Sequence, residues 1–194
     1  METHLKVMLI DTDRARRAQL MASLVHAGCH VTEQDTLSFD LIEHLARAKP
    51  DVIVIGADVP DRAVLECLQK ISGTQPMPIV LFTDDEDETK IKQTLHAGAT
   101  SYIVKGIEPA RIKPILQVAI TRFKEQQALH AELDSTKAEL AERKLIERAK
   151  GMLMRQKGIN EEEAYQLLRK MSMNRKVKIA ELATQLIDLS ELLA

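Results

Sequence analysis

Apolar residues fall in two rhythms along this chain. Short, nearly unbroken apolar runs lie at 7–10, 52–55, 79–82 and 102–104, with a weaker one at 30–33. Between them, at 15–27, 39–48, 62–71 and 88–97, apolar positions recur every three or four residues. The second rhythm predicts helices, and the first predicts strands covered on both faces. Strands alternating with helices predict an α/β domain built on a five-stranded parallel sheet. Gly28 and Gly98 follow predicted helices, where a left-handed cap suits glycine.

From Pro109 the alternation stops. Pro109 suits a first helical position, and the only breaker before Gly151 and Gly158 is Pro114, which predicts a local kink in the second turn. The run therefore predicts one helix of about 45 residues, roughly 65 Å long. Ile115, Ala119, Leu129, Leu133 and Leu140 form a seam on it, interrupted by Arg122, Gln126 and Thr136. One helix cannot bury such a seam, so a coiled-coil homodimer through 109–140 is expected, a solvated single helix joining two domains being the alternative. Farther on, Asn160 and Glu163 have capping-box spacing, and Glu161, Glu162 and Glu163 suit the positive end of a helix. Ala164, Leu167, Leu168 and Met171 then share a face. After a polar break at 172–178, Ile179, Leu182, Ala183, Leu186 and Ile187 share another. With Leu145, Ile146, Ala149, Met152 and Leu153, these predict a three-helix bundle over 141–194.

Charge distribution adds a function class. The chain of 194 residues carries a net −2, yet eleven Lys or Arg against four Glu in 143–178 leave an excess of +7 there and −9 elsewhere. That polarity predicts a polyanion-binding element on an acidic carrier. Two Tyr, three Phe and no Trp argue against bases stacking on a sheet face. Cys29 and Cys67 lack paired spacing and a nearby His cluster, so reduced, buried thiols are expected. No apolar run reaches the roughly 20 residues of a membrane helix, and METHLKVMLID has no signal-peptide pattern. A cytoplasmic protein without membrane contact is expected. No nucleophile–base pair or metal cluster stands out, so neither an enzyme nor a cofactor is expected. The acidic run at 84–88 opens a helix, where carboxylates are favoured without a metal.

Asp11 and Asp13 follow the first strand, Thr83 follows the fourth in LFTDD, and Lys105 follows the fifth in YIVKG. This order resembles the receiver domain of bacterial response regulators, and 1–123 is assigned to it. The resemblance implies a site at the carboxyl ends of the strands. There acidic residues bind Mg²⁺, an Asp ending the third strand accepts a phosphoryl group, and a Thr or Ser and a Lys complete the pocket. The third strand departs from this pattern: PDVIVIGADVP puts Gly56 at the acceptor position. The usual central metal ligand falls on Thr12, which lowers the expected Mg²⁺ affinity. Asp58 lies two residues on, already in the loop before Pro60, and is read as a turn residue, a substitute acceptor being the alternative. The expectation is a degenerate pocket of Asp11, Asp13, Gly56, Asp58, Thr83 and Lys105, kept for protein contacts, with Lys105 and Asp11 as an ion pair.

The basic end reads RKLIERAKGMLM, then Gly158, EEEAY, LLRKMSM, a basic turn and an Ile/Leu/Ala helix. It resembles the ANTAR domain, the RNA-binding output module of certain transcription antiterminators. Together with the receiver-like front, the chain resembles the NasT-like antiterminators of nitrate assimilation. The resemblance implies binding of hairpin leader RNA and control by a nitrate- or nitrite-sensing partner protein. Arg143, Lys150, Arg155, Arg169, Ser172, Asn174, Arg175 and Lys176 are the expected RNA contacts. Ala149 and Gly151 would leave a shallow place on the helix between cations, and Tyr165 would stack on a base. A DNA-binding two-component response regulator is the alternative, since a helix pair after a receiver also suits duplex DNA.

Overall fold

The computed structural model describes residues 4–34, 41–105 and 108–192. Its elements are β1 (Lys6–Asp11), α1 (Arg14–His26), β2 (His30–Gln34), α2 (Leu41–Ala48), β3 (Val52–Gly56), α3 (Arg62–Thr74), β4 (Ile79–Thr83), α4 (Glu88–His96), β5 (Ser101–Val104), α5 (Pro109–Lys157), α6 (Glu161–Arg175) and α7 (Ile179–Leu192). The expected helix at 39–48 is seen from Leu41, and its first two positions lie outside the described residues. All strands pair in parallel in the order β2-β1-β3-β4-β5.

Alternate strand residues divide the core into two layers, as the period of two requires. Met8, Ile10, Ile53, Ile55, Ile79 and Leu81 pack with Leu45, Leu68 and Ile71 of α2 and α3 on one face. Val7, Leu9, Val52, Val54, Val80 and Phe82 pack with α1 and with Ile112, Leu116 and Ala119 of α5 on the other. The weak apolar signal of β2 has a physical reason: it is an edge strand whose side chains are exposed or half-buried. Cys29 and Cys67 are free, half-buried thiols, and burial pushes Cys67 up to about 11.

The chain divides into two compact units, 1–127 and 128–194. Helix α5 runs through Pro114 and through Gly151 without interruption, 49 residues in all. The expected seam is not one surface. Ile115 and Ala119 pack into the sheet core, whereas Leu129, Leu133 and Leu140 are 66%, 49% and 53% exposed. Gly158, with φ +65°, ends α5, and its N–H donates to the Met154 carbonyl at 3.0 Å. Asn160 then caps α6 in a full capping box with Glu163. In the second unit Ala149, Leu153, Ala164, Leu168, Leu182, Ala183 and Ile187 form one core shared by α5, α6 and α7. The polar break expected at 172–178 begins later, because α6 continues to Arg175 and closes on Lys176 in the left-handed conformation.

Candidate nucleic-acid interface and receiver pocket

Asp11 ends β1 and lies in register with Gly56, which ends β3. The Asp11 carboxylate is buried, and a guanidinium neutralises it. Arg16 donates from Nε to Oδ2 at 2.7 Å and from Nη2 to Oδ1 at 2.8 Å, a bidentate fork. The Asp13 N–H adds a third donor to Oδ1 at 2.8 Å, and Arg17 Nη1 donates to the Asp11 carbonyl at 2.8 Å. The remaining Arg16 nitrogen, Nη1, donates to Asp58 in the loop after β3. The hydrogen bond to Asp11 holds the Arg16 guanidinium charged, against the opposing effect of burial and with help from both carboxylates. Asp13 caps α1, accepting from the Arg16 N–H at 2.7 Å.

Gly56 is more than a missing carboxylate. A Cβ there would stand 1.9 Å from Asp11 Oδ2 and 3.1 Å from Arg16 Nε, so the fork occupies the space a side chain would need. The Thr83 hydroxyl donates to the Asp58 carbonyl at 2.7 Å and accepts from the Asp85 N–H at 3.2 Å. Lys105 does not pair with Asp11 as expected. Its ammonium donates to Glu86 at 2.6 Å, which raises Lys105 and lowers Glu86 relative to their ordinary values. The physical reason is supply: Arg16 already satisfies Asp11, and the acidic β4–α4 loop offers Lys105 a nearer carboxylate.

The helical unit redistributes the expected RNA contacts. Ala149 is fully buried in the bundle core, so it forms no shallow place on the surface. Lys150 is only 7% exposed, and its ammonium sits between Glu147 at 2.8 Å and Glu161 at 2.7 Å. Those hydrogen bonds, Glu147's first, raise the Lys150 pKa, while Lys150 holds Glu161 below the usual carboxylate range. Lys150 is thus a clamp between α5 and the start of α6. Ser172 is buried, and its hydroxyl donates to the Arg169 carbonyl at 2.8 Å. None of these three presents itself at the surface, because the bundle uses their face of the helix for packing.

Other expected contacts are exposed. Arg143, Arg155, Arg169, Asn174, Arg175 and Lys176 are solvent-facing, and Tyr165 is 41% exposed. Lys144, Arg148, Gly151 and Arg155 are spaced by four, three and four residues, which puts them on one stripe of α5. Gly151 lies mid-stripe, where a Cβ would meet nothing within 4 Å. Packing therefore does not demand glycine there, and the bare backbone is open between cations. On α6, Tyr165, Arg169 and Met173 repeat every four residues as a second exposed stripe. The arrangement offers charge for phosphates, an aromatic face for a base and a backbone that can be approached closely.

The receiver-domain family model matches residues 7–117, more than half of the chain. The chain belongs to the response regulator receiver domain family. The ANTAR domain model matches residues 134–187, so the helical unit is an ANTAR domain. The receiver domain has the fold of chemotaxis response regulator CheY4 of Vibrio cholerae, with a TM-score of 0.52 and 23% identity over 60% of this chain and 99% of that one. It also has the fold of a response regulator from Thermotoga maritima, with a TM-score of 0.54, 19% identity, and coverage of 61% and 99%. The transcriptional regulatory protein PdtaR of Mycobacterium tuberculosis is 25% identical over 183 residues, 94% of this chain and 89% of that one. The nitrate regulatory protein of Klebsiella oxytoca is 41% identical over 80 residues, 41% of this chain and 20% of that protein.

The Mg²⁺ and phosphoryl group of receiver domains do not fit these residues. Both Asp11 oxygens are engaged by Arg16, and the acceptor position is a glycine whose space the fork fills. Sequence reading missed Arg16. A signal existed: Arg14, Arg16 and Arg17 crowd the first turn of α1, which contains no acidic residue. Cations are unfavourable at that positive helix end, so they need partners elsewhere. Glu86 and Glu161 were missed as partners, because pairing across elements has no sequence period; Glu147 was missed although it lies three residues before Lys150 on the same helix, a spacing at which side chains meet.

Proposed function

We propose that this protein is a non-enzymatic, RNA-binding transcription antitermination regulator acting in the cytoplasm. Its ANTAR domain would hold a hairpin antiterminator in leader RNA, so that the terminator does not form and polymerase reads on. The observation that carries this reading is the exposed α5 stripe of Lys144, Arg148 and Arg155 around the open backbone of Gly151, with a second exposed stripe of Tyr165 and Arg169 on α6. The similarity to a transcriptional regulatory protein over 94% of the chain supports the regulatory role. A 41% identical segment of a nitrate regulatory protein supports control of nitrate or nitrite assimilation genes, through a sensor partner that binds such an anion. Gly56 supports a signal delivered by partner contact rather than phosphorylation. A homodimer through the exposed Leu129, Leu133 and Leu140 of α5 would present two ANTAR domains to paired hairpins.

The test is salt-matched binding of the full chain to a two-hairpin leader RNA and to duplex DNA. RNA is expected to bind more tightly, with affinity falling steeply as salt rises. Preference for duplex would instead favour a DNA-binding response regulator. Charge reversal of Arg155 and Arg175 is expected to weaken RNA binding by about tenfold or more, near 1.4 kcal/mol. Unchanged binding would mean that the basic bundle docks an acidic protein.

A further inference from the structure

We propose that Arg16 is a built-in substitute for the divalent cation of the receiver pocket, and that Gly56 is the residue that makes room for it. In a receiver pocket of the kind that the resemblance implies, a divalent cation would be held by the carboxylates after β1, beside the acceptor position that ends β3. Here one guanidinium takes that place: it forks onto Asp11 and reaches Asp58 in the loop after β3. A planar fork satisfies a carboxylate in fixed geometry, which a hydrated ion achieves only when it is bound.

The fork and a side chain at position 56 compete for the same space. The 1.9 Å approach of a Cβ to Asp11 Oδ2 leaves no room for even an alanine without displacing the carboxylate. An aspartate there would also bring its carboxylate within reach of Arg16, whose Nε lies 3.1 Å from the Cβ position. Arg16 would then remain among the carboxylates as their counter-ion. Loss of the acceptor is thus one half of a matched pair, and Gly56→Asp alone does not rebuild a cation site.

The first turn of α1 points the same way. Arg16 and Arg17 sit where the helix dipole disfavours them, and both turn to Asp11, one to its carboxylate and one to its carbonyl. From Asp58 the tie continues, since its carbonyl receives the Thr83 hydroxyl, which in turn accepts from the Asp85 N–H. The pocket side of the receiver and its β4–α4 loop are thereby held in one state without an external ion. This extends the reading that phosphate does not switch the receiver, and the experiment separates the two.

Full-length wild type, Gly56→Asp, Arg16→Ala and the double variant are titrated with Mg²⁺ at constant ionic strength, and thermal midpoints are followed. Each is then offered acetyl phosphate. Wild type and Gly56→Asp are expected to show no Mg²⁺-specific rise. The double variant is expected to gain one, at Mg²⁺ concentrations about tenfold or more below the highest at which Gly56→Asp still shows none. If Gly56→Asp binds Mg²⁺ as well as the double variant, if wild type responds, or if the double variant does not, Arg16 is not the cation substitute. Should Arg16→Ala fail to fold, Arg16→Gln carries the same comparison, since it keeps a hydrogen-bonding side chain without the charge. Stable phosphoryl uptake by wild type at Asp58 would overturn the phosphate-independent reading alone, while the Mg²⁺ titrations still decide the role of Arg16.

Discussion

Gly151 lies inside a continuous helix, where glycine is less favourable than alanine by about 1 kcal/mol. No neighbour occupies the space of its missing Cβ, and it lies on the cationic stripe of α5. Gly151→Ala is therefore expected to raise the thermal midpoint while lowering affinity for hairpin RNA, and a loss of stability instead would show that the bare backbone serves packing. Tyr165 poses the complementary case. Much of its surface is already in solvent, so Tyr165→Ala is expected to change stability little. Its loss should remove a stacking platform worth roughly 1–3 kcal/mol of RNA binding, read by titration of the hairpin RNA at fixed salt. The clustering of basic residues was legible from charge alone, but which of them face solvent was not. The burial of Lys150 was not legible, because a sequence shows that a lysine is basic but not that two glutamates from different helices close around it.

At the scale of elements, that lysine ties α5 to the first turn of α6. Glu161 is held below its ordinary value of 4.5 by Lys150, so its contribution is present above that value and lost as pH falls through the lower folded one. Lys150 is raised above 10.5, so its contribution is complete below that value and lost only as pH rises through the higher folded one. Across neutral pH the clamp is intact. Glu161→Gln is expected to lower the thermal midpoint at neutral pH, with the difference from wild type vanishing only once pH has fallen through the lowered Glu161 value. A gap that persisted in acid would assign the effect to something other than the charge. The capping box beside it was readable in advance, because Asn160 and Glu163 act within one turn. Removing it by Asn160→Ala is expected to cost about 1 kcal/mol in denaturant unfolding of the ANTAR domain. Helix α1 was readable as a helix too. The purpose of its arginines was not, since their partners lie at the end of β1 and beyond β3.

For the whole molecule, the long helix raises the question of assembly. Its sequence seam divides in the structure: the early positions belong to the receiver core, and Leu129, Leu133 and Leu140 are left exposed. Leu133→Glu is expected to shift a dimer toward monomer in sedimentation and to weaken binding of a two-hairpin RNA more than of a single hairpin. An unchanged sedimentation profile would leave α5 as a solvated connector. The sequence by itself determined the element order, the parallel sheet, the two apolar layers, the three-helix core and the excess of positive charge at one end. Each of these follows from periodicity or composition, which are local and additive along the chain. Tertiary structure alone decided which carboxylate meets which cation. It placed Arg16 over Gly56, gave Lys105 to Glu86, and withdrew Ala149, Lys150 and Ser172 from the surface. Those outcomes depend on side chains brought together across sheet edges and helix faces, where distance in space rather than spacing in sequence sets the energy.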